Sequence, residues 1–116
     1  MAFDVVLTQD FKKSLKQIAK KHRPVLKDVD SLIDQLAENP VMGTPLGQNI
    51  YKIRLAVSGT NKGKSGGARV ITYVISMNEK VLLADIYLKS EYDTIDVNVL
   101  LESLKEQGLI WHYLQN

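Results

Sequence analysis

No acidic residue occurs between Glu38 and Glu79, yet that stretch holds Lys52, Arg54, Lys62, Lys64 and Arg69. Cationic side chains without nearby counter-charges raise the encounter rate and affinity for a phosphate-bearing partner. The imbalance is regional. Residues 1–69 carry twelve Lys/Arg against six Asp/Glu, and residues 70–116 carry three against seven, within a net charge of +2. Charge alone leaves open a solvated surface balanced by distant acids. The Lys62-Gly-Lys-Ser-Gly-Gly-Ala-Arg69 stretch invites comparison with a nucleotide-phosphate loop, which needs Gly-x4-Gly-Lys-Ser/Thr between a strand and a helix. Gly59 has only three residues before Gly63, and a strand pattern follows, so nucleotide hydrolysis is excluded. Without cysteine there is no thiol catalysis, disulfide or zinc-thiolate site, and two histidines, His22 and His112, give little material for a metal. Both read as surface or packing residues, and no metal site is expected.

The elements that must position these residues follow from periodicity. Phe3 to Leu7 is short, branched and apolar, and reads as a strand. Thr8 or Asp10 then caps a helix with Phe11, Leu15, Ile18 and Ala19 on one stripe and Lys12, Lys13, Lys16, Lys20 and Lys21 elsewhere. Pro24 suits the first position of a second helix, in which Val25, Leu26, Val29, Leu32, Ile33 and Leu36 recur until Asn39-Pro40. Pro40 to Gly47, with two prolines and two glycines, reads as a loop. From Ile50 to Val57 the apolar Tyr51, Ile53, Leu55 and Val57 alternate with Lys52 and Arg54, a strand with its cations on one face.

Ser58 to Gly67 is a polar loop with four glycines, and Ala68 to Met77 is apolar on both faces, as a central strand must be. Asn78-Glu79 turns into a strand from Lys80 to Lys89, giving an antiparallel hairpin. Asp93 or Thr94 caps a last helix with Val97, Leu100, Leu101 and Leu104 inward, closed by Gly108. The tail from Leu109 to Leu114, with Trp111, is too apolar to be left in water. It is expected to dock on the core and to border a partner surface.

The predicted fold is α+β: two layers, a mainly antiparallel sheet, an N-terminal helix hairpin on one face and a C-terminal helix. On the sheet face left open, alternation brings Arg54, Arg69, Tyr87 and Lys89 together with Lys62 and Lys64 above them. Asp85 is expected to pair with one arginine. Basic groups with a tyrosine on a sheet suit a phosphate backbone and a stacked, unpaired base.

Length and composition agree with one domain spanning residues 1–116. The N-terminus does not read as a signal peptide, and no apolar run approaches the ~20 residues of a membrane span, so a cytoplasmic protein without membrane contact is expected.

Tyr51-Lys-Ile-Arg54, the Lys62 to Ile71 run and Asp85-Ile-Tyr-Leu-Lys-Ser-Glu91 together resemble RelE/HigB-type toxins of bacterial toxin–antitoxin pairs. The resemblance covers about residues 3–107. It implies a microbial-ribonuclease-like fold, an antitoxin partner, and mRNA cleavage on the ribosome without a cofactor. The implied reaction is attack of a ribose 2′-OH on the adjacent phosphate. Arg69 matches the family arginine that follows the glycines, and its fork suits non-bridging oxygens. Lys89 matches a basic position after the last strand, stabilising charge or assisting the leaving group. Lys62 and Lys64 match the basic loop, and either is a base if a cationic cluster lowers its pKa. Arg54, with Lys52 beside it, is expected to hold backbone phosphates. Some relatives stack a later tyrosine on the attacked base; that position here is Ile95, which leaves Tyr87 or Tyr92 as the substitute. Glu91 reads as a surface acid. Two other functions stay open: a ParE-like inhibitor of DNA gyrase on the same fold, and a nucleic-acid-binding module whose catalysis has decayed.

Overall fold

The computed structural model describes residues 2–60, 63, 66–90 and 94–108. Along the chain run β1 (Asp4–Leu7), α1 (Gln9–Lys21), α2 (Val25–Glu38), β2 (Thr44–Gly47), β3 (Ile50–Leu55), β4 (Ala68–Ile75), a short 3₁₀ turn (Ser76–Asn78), β5 (Lys80–Leu88) and α3 (Val97–Glu106). The strands form one sheet in the order β1-β5-β4-β3-β2. Among the described residues the β1–β5 pair is parallel and the other pairs are antiparallel. This is the expected α+β architecture.

α1 begins where Thr8 stops the strand. The Thr8 hydroxyl accepts from the Phe11 N–H (3.2 Å) and donates to the Leu83 carbonyl (2.9 Å), so one buried side chain caps the helix and ties it to β5. Phe11 and Ile18 are buried beneath α1, and Val25, Val29, Leu32 and Leu36 beneath α2. They meet Ile53, Ala68, Val70, Val81, Leu83 and Ile86 in one apolar cluster. Pro24 stands just ahead of the first helical residue of α2, one position earlier than expected, and Leu26 points outward at 41% exposure.

The segment expected as a loop from Pro40 to Gly47 contains an edge strand. Thr44 and Pro45 pair with Lys52 and Tyr51 of β3, across a two-residue turn in which Gln48 and Asn49 both have positive φ. Such a turn matches the twist of paired strands. Gly43, at φ +89°, passes so close to β3 that a Cβ would lie 2.4 Å from the Lys52 carbonyl oxygen. Pro45 is tolerated because an edge strand has one side without ladder bonds.

The opposite sheet face is not left open. Ile50, Ile71, Tyr73, Ile75, Leu82, Ala84 and Tyr87 form a second apolar cluster with Leu100 and Leu104 of α3. Ile50 therefore shares the face of Lys52 and Arg54, which the alternation had assigned to cations alone. α3 is capped by Asp96, whose carboxylate accepts from the Asn98 and Val99 N–H groups, rather than by Asp93 or Thr94. It is also tied to α1: Ser103 Oγ and Gln107 Nε2 both donate to Asp10 (3.1 and 3.2 Å). The apolar tail, with Trp111 and His112, lies outside the described residues. Among the described residues no helix is long and apolar enough to cross a membrane.

Candidate functional site

Strand register builds the site. Arg54 of β3 stands opposite Arg69 of β4, and Arg69 stands opposite Tyr87 of β5. One cross-sheet row is therefore Arg54–Arg69–Tyr87, as the alternation predicted. The row beside it is Lys52–Ile71–Asp85. Lys89 follows β5 directly; its side chain is exposed, and its N–H donates to the Gly67 carbonyl (3.0 Å).

The setting of the row differs from the expected open surface. Arg69 and Tyr87 are each only 2% exposed, whereas Arg54 is exposed and Lys52 half-buried. Nη1 of Arg69 donates to the Ala68 carbonyl at 3.1 Å. Tyr87 belongs to the second apolar cluster, which the alternation rule had no means to anticipate, and Arg69 is buried beside it. Arg54 and Arg69 stand directly opposite on neighbouring strands, where like charges repel.

Asp85 does not pair with an arginine. A bulge inserts Ala84 between Leu83, paired with Thr72, and Asp85, paired with Ile71. The Asp85 carboxylate accepts from Ser14 Oγ of α1 (3.0 Å) and from the Ile86 N–H (2.9 Å). Burial pushes its pKa up, the two hydrogen bonds pull it down, and nearby Asp10 adds a smaller upward push. Asp10, Asp85 and Asp96 line a cleft of about 510 Å³ between α1, the bulge and α3. Lys13 lines it too, but three carboxylates against one ammonium do not suit a phosphate. Among the described residues no three His, Asp or Glu side chains are grouped to hold a metal ion.

The loop between β3 and β4 is anchored at both roots. Ser58 donates its N–H and its hydroxyl to the Asp28 carboxylate of α2 (2.8 and 2.5 Å). At the other root Gly67 lies so near β3 that a Cβ would sit 2.3 Å from the Leu55 carbonyl oxygen. Only glycine fits there, two residues ahead of Arg69. Lys62, Lys64, Tyr92 and Glu91 lie outside the described residues. The Asp28–Ser58 tether and the Ser14–Asp85 bond escaped sequence reasoning, being 30 and 71 residues apart with no local pattern to mark them. Ile95 is half-buried against the second cluster, and His22 caps the end of α1 through its backbone.

Three solved structures share this arrangement of helices and sheet. The free-state E. coli toxin RelE, as a double arginine-to-alanine variant, aligns with a TM-score of 0.58 at 20% identity over 91% of this chain and 98% of that one. The fold is that of RelE-type toxins. The isolated E. coli RelE toxin aligns at 0.54 with 18% identity, over 90% and 98% of the two chains. The M. tuberculosis RelBE2 toxin–antitoxin complex aligns at 0.56 with 15% identity, over 76% and 99%. No protein-family model and no curated protein matches the chain. The RelE-type fold thus accounts for the scaffold on which the row stands.

Proposed function

We propose that this chain is the toxin of a toxin–antitoxin pair and acts in the cytoplasm as a ribosome-dependent mRNA endoribonuclease. The observation that carries the reading is the cross-strand pair Arg54–Arg69 beside Tyr87, on a RelE-type fold. Two arginines opposite one another on neighbouring strands suit an anion with several acceptor oxygens, and a neighbouring phenol suits a base. In the reaction the 2′-OH attacks the adjacent phosphorus and loses its proton to Lys62 or Lys64. The bond to the 5′-oxygen breaks and that oxygen takes up a proton, leaving a 2′,3′-cyclic phosphate and a 5′-OH. Arg69 stabilises the charge that develops on the non-bridging oxygens, and Lys89 assists at the leaving group. Arg54 and Lys52 hold flanking phosphates, with Tyr87 or Tyr92 against the base. Because Arg69 is buried in the free chain, the reading requires that RNA binding uncover it. An antitoxin partner is supported by the RelBE2 complex among the structural neighbours.

The test is to add purified protein to a translating extract and map mRNA 5′ ends by primer extension. New ends are expected with the parent chain and not with Arg69→Ala. Inhibition of gyrase supercoiling without new ends would replace this reading with the ParE-like one. The burial of Arg69 specifically favours a second reading, an RNA-binding module without catalysis, which predicts RNA retention and no new ends from either protein.

A further inference from the structure

The proposed site leaves a second cationic surface unexplained. Lys12, Lys13, Lys16 and Lys20 of α1 are all exposed. At about 100° per residue the four fall within an arc of roughly 100°, opposite the buried Phe11 and Ile18. Lys12, Lys16 and Lys20 make a straight row with steps of about 6 Å along the helix axis. The salt bridges among the described residues join Lys80 to Asp4 and Lys105 to Glu102, and none engages α1. Stability does not account for the row. Like charges four apart repel, and Lys12 and Lys13 sit near the helix N-terminus, where the macrodipole disfavours cations. The neighbouring helix carries the opposite pattern: Asp30, Asp34 and Glu38 of α2 are exposed at the same four-residue spacing. Both helices pack on one sheet face, so the two rows lie side by side on the outer surface of the hairpin, the basic row on α1 and the acidic row, with Lys27 beside it, on α2.

We propose that the lysine row of α1 is a binding surface for the phosphate backbone of double-helical RNA, separate from the sheet row. The chemistry selects that partner over others. The row contains no aromatic side chain to stack an unpaired base, so it does not suit a single strand. Its helix has spent its apolar face on the protein core, so nothing remains to insert into a bilayer. It lacks the aromatic or arginine anchors on which protein–protein hot spots rest. What remains is a line of compact charges, which suits a polymer of phosphates read by shape and charge. The acidic row of α2, on the same outer surface, repels the same polymer and so confines its approach to the α1 edge of the hairpin. At its C-terminal end α1 reaches the end of β5, where Lys21 and His22 line a cavity with Leu88 and Ser90, the two residues flanking Lys89. The lysine row stands on the α1 side of the sheet and Tyr87 of the sheet row on the α3 side, so the two are separate surfaces of one molecule.

The experiment compares binding of a 20-base-pair RNA duplex, and of one of its strands, by fluorescence anisotropy across a salt series. The variants are Lys12→Gln/Lys16→Gln/Lys20→Gln, the charge-matched control Lys27→Gln/Lys80→Gln/Lys105→Gln, and Arg69→Ala, each checked for helix content by circular dichroism. The α1 variant is expected to bind duplex more weakly, its log–log salt slope reduced by roughly one per lysine. The control and Arg69→Ala should keep the parent slope. Asp30→Asn/Asp34→Asn/Glu38→Gln should bind duplex more tightly. Equal losses for the α1 variant and the control would overturn the proposal, as would an unchanged duplex slope. It would also fall if anionic phosphatidylserine vesicles, rather than duplex, lose binding with the α1 lysines. Binding is read without cleavage, so failure of the endoribonuclease reading and failure of this one give different results.

Discussion

The row Arg54–Arg69–Tyr87 and the row Lys12–Lys16–Lys20 are both cationic, and they stand in opposite settings. The first lies in a sheet, in register across three strands, with its central guanidinium buried. The second lies on a helix face that touches nothing charged within the described residues. A buried charge is held by geometry and costs desolvation unless well partnered. An exposed one is nearly free to exist and is weakened by salt. On the functions proposed for them, the sheet row would orient one phosphate group and the helix row attract many without choosing among them.

The contrast breaks most severely if the anchor beneath the helix row is removed. Phe11→Ala is expected to destabilise the protein by about 3–5 kcal/mol, measured by urea denaturation. Lys16→Ala, one face away, should stay within about 0.5 kcal/mol of the parent chain. Next in size, Arg69→Met should reduce mRNA cleavage on the order of 100-fold or more while the protein stays folded at the assay temperature, checked by circular dichroism. Removing one member of a buried charge interaction costs stability, so the melting temperature should fall without loss of the fold. Loss of cleavage accompanied by unfolding would show that Arg69 holds the fold, and would erase the distinction between the two rows.

A smaller effect is expected where the sheet row's loop is tethered. Asp28→Ala leaves the Ser58 N–H and hydroxyl to water and should cost about 1 kcal/mol, read from the urea midpoint at unchanged slope. Cleavage should fall with it if the tether positions the basic loop, whereas duplex binding by α1 should not move. The smallest effect comes from Asp85, a half-buried charge between the two extremes. Its carboxyl titrates above its ordinary value in the folded chain, so between the unfolded pKa, near 3.8, and the folded one the native state holds more protons than the unfolded. Stability from this group is therefore greatest below that window and declines as pH rises through it. Asp85→Asn should flatten this part of the pH–stability profile, measured as the difference in urea midpoint between the two proteins. A steeper profile in the variant would mean that the Ser14 and Ile86 bonds outweigh burial.

Much of the molecule was legible in the order of its residues because its signals are local and periodic. The stripe of Phe11 and Ile18, the alternation from Ile50 to Leu55 and the two-sided apolar run of β4 each report the face on which a side chain must stand. The same period of two was enough to bring Arg54, Arg69 and Tyr87 onto one row, because strand registry preserves it. Charge sorting along the chain was equally plain, since it needs only the residue types.

Tertiary structure alone decided what that row faces. Whether Tyr87 meets solvent depends on how α3 and the second cluster close the sheet, and no repeat within β5 encodes the position of the helix that follows. The partner of Asp85 turned on a single inserted residue at Ala84 that re-aims a carboxylate from the arginines toward Ser14. β2 exists because Gly43, Gln48 and Asn49 adopt positive φ in a segment whose prolines and glycines otherwise signal a loop. Sequence determines the face and the charge of each side chain through short-range periodicity. Burial and partnership are set by segments distant in the chain, and they appear only once those segments are packed together.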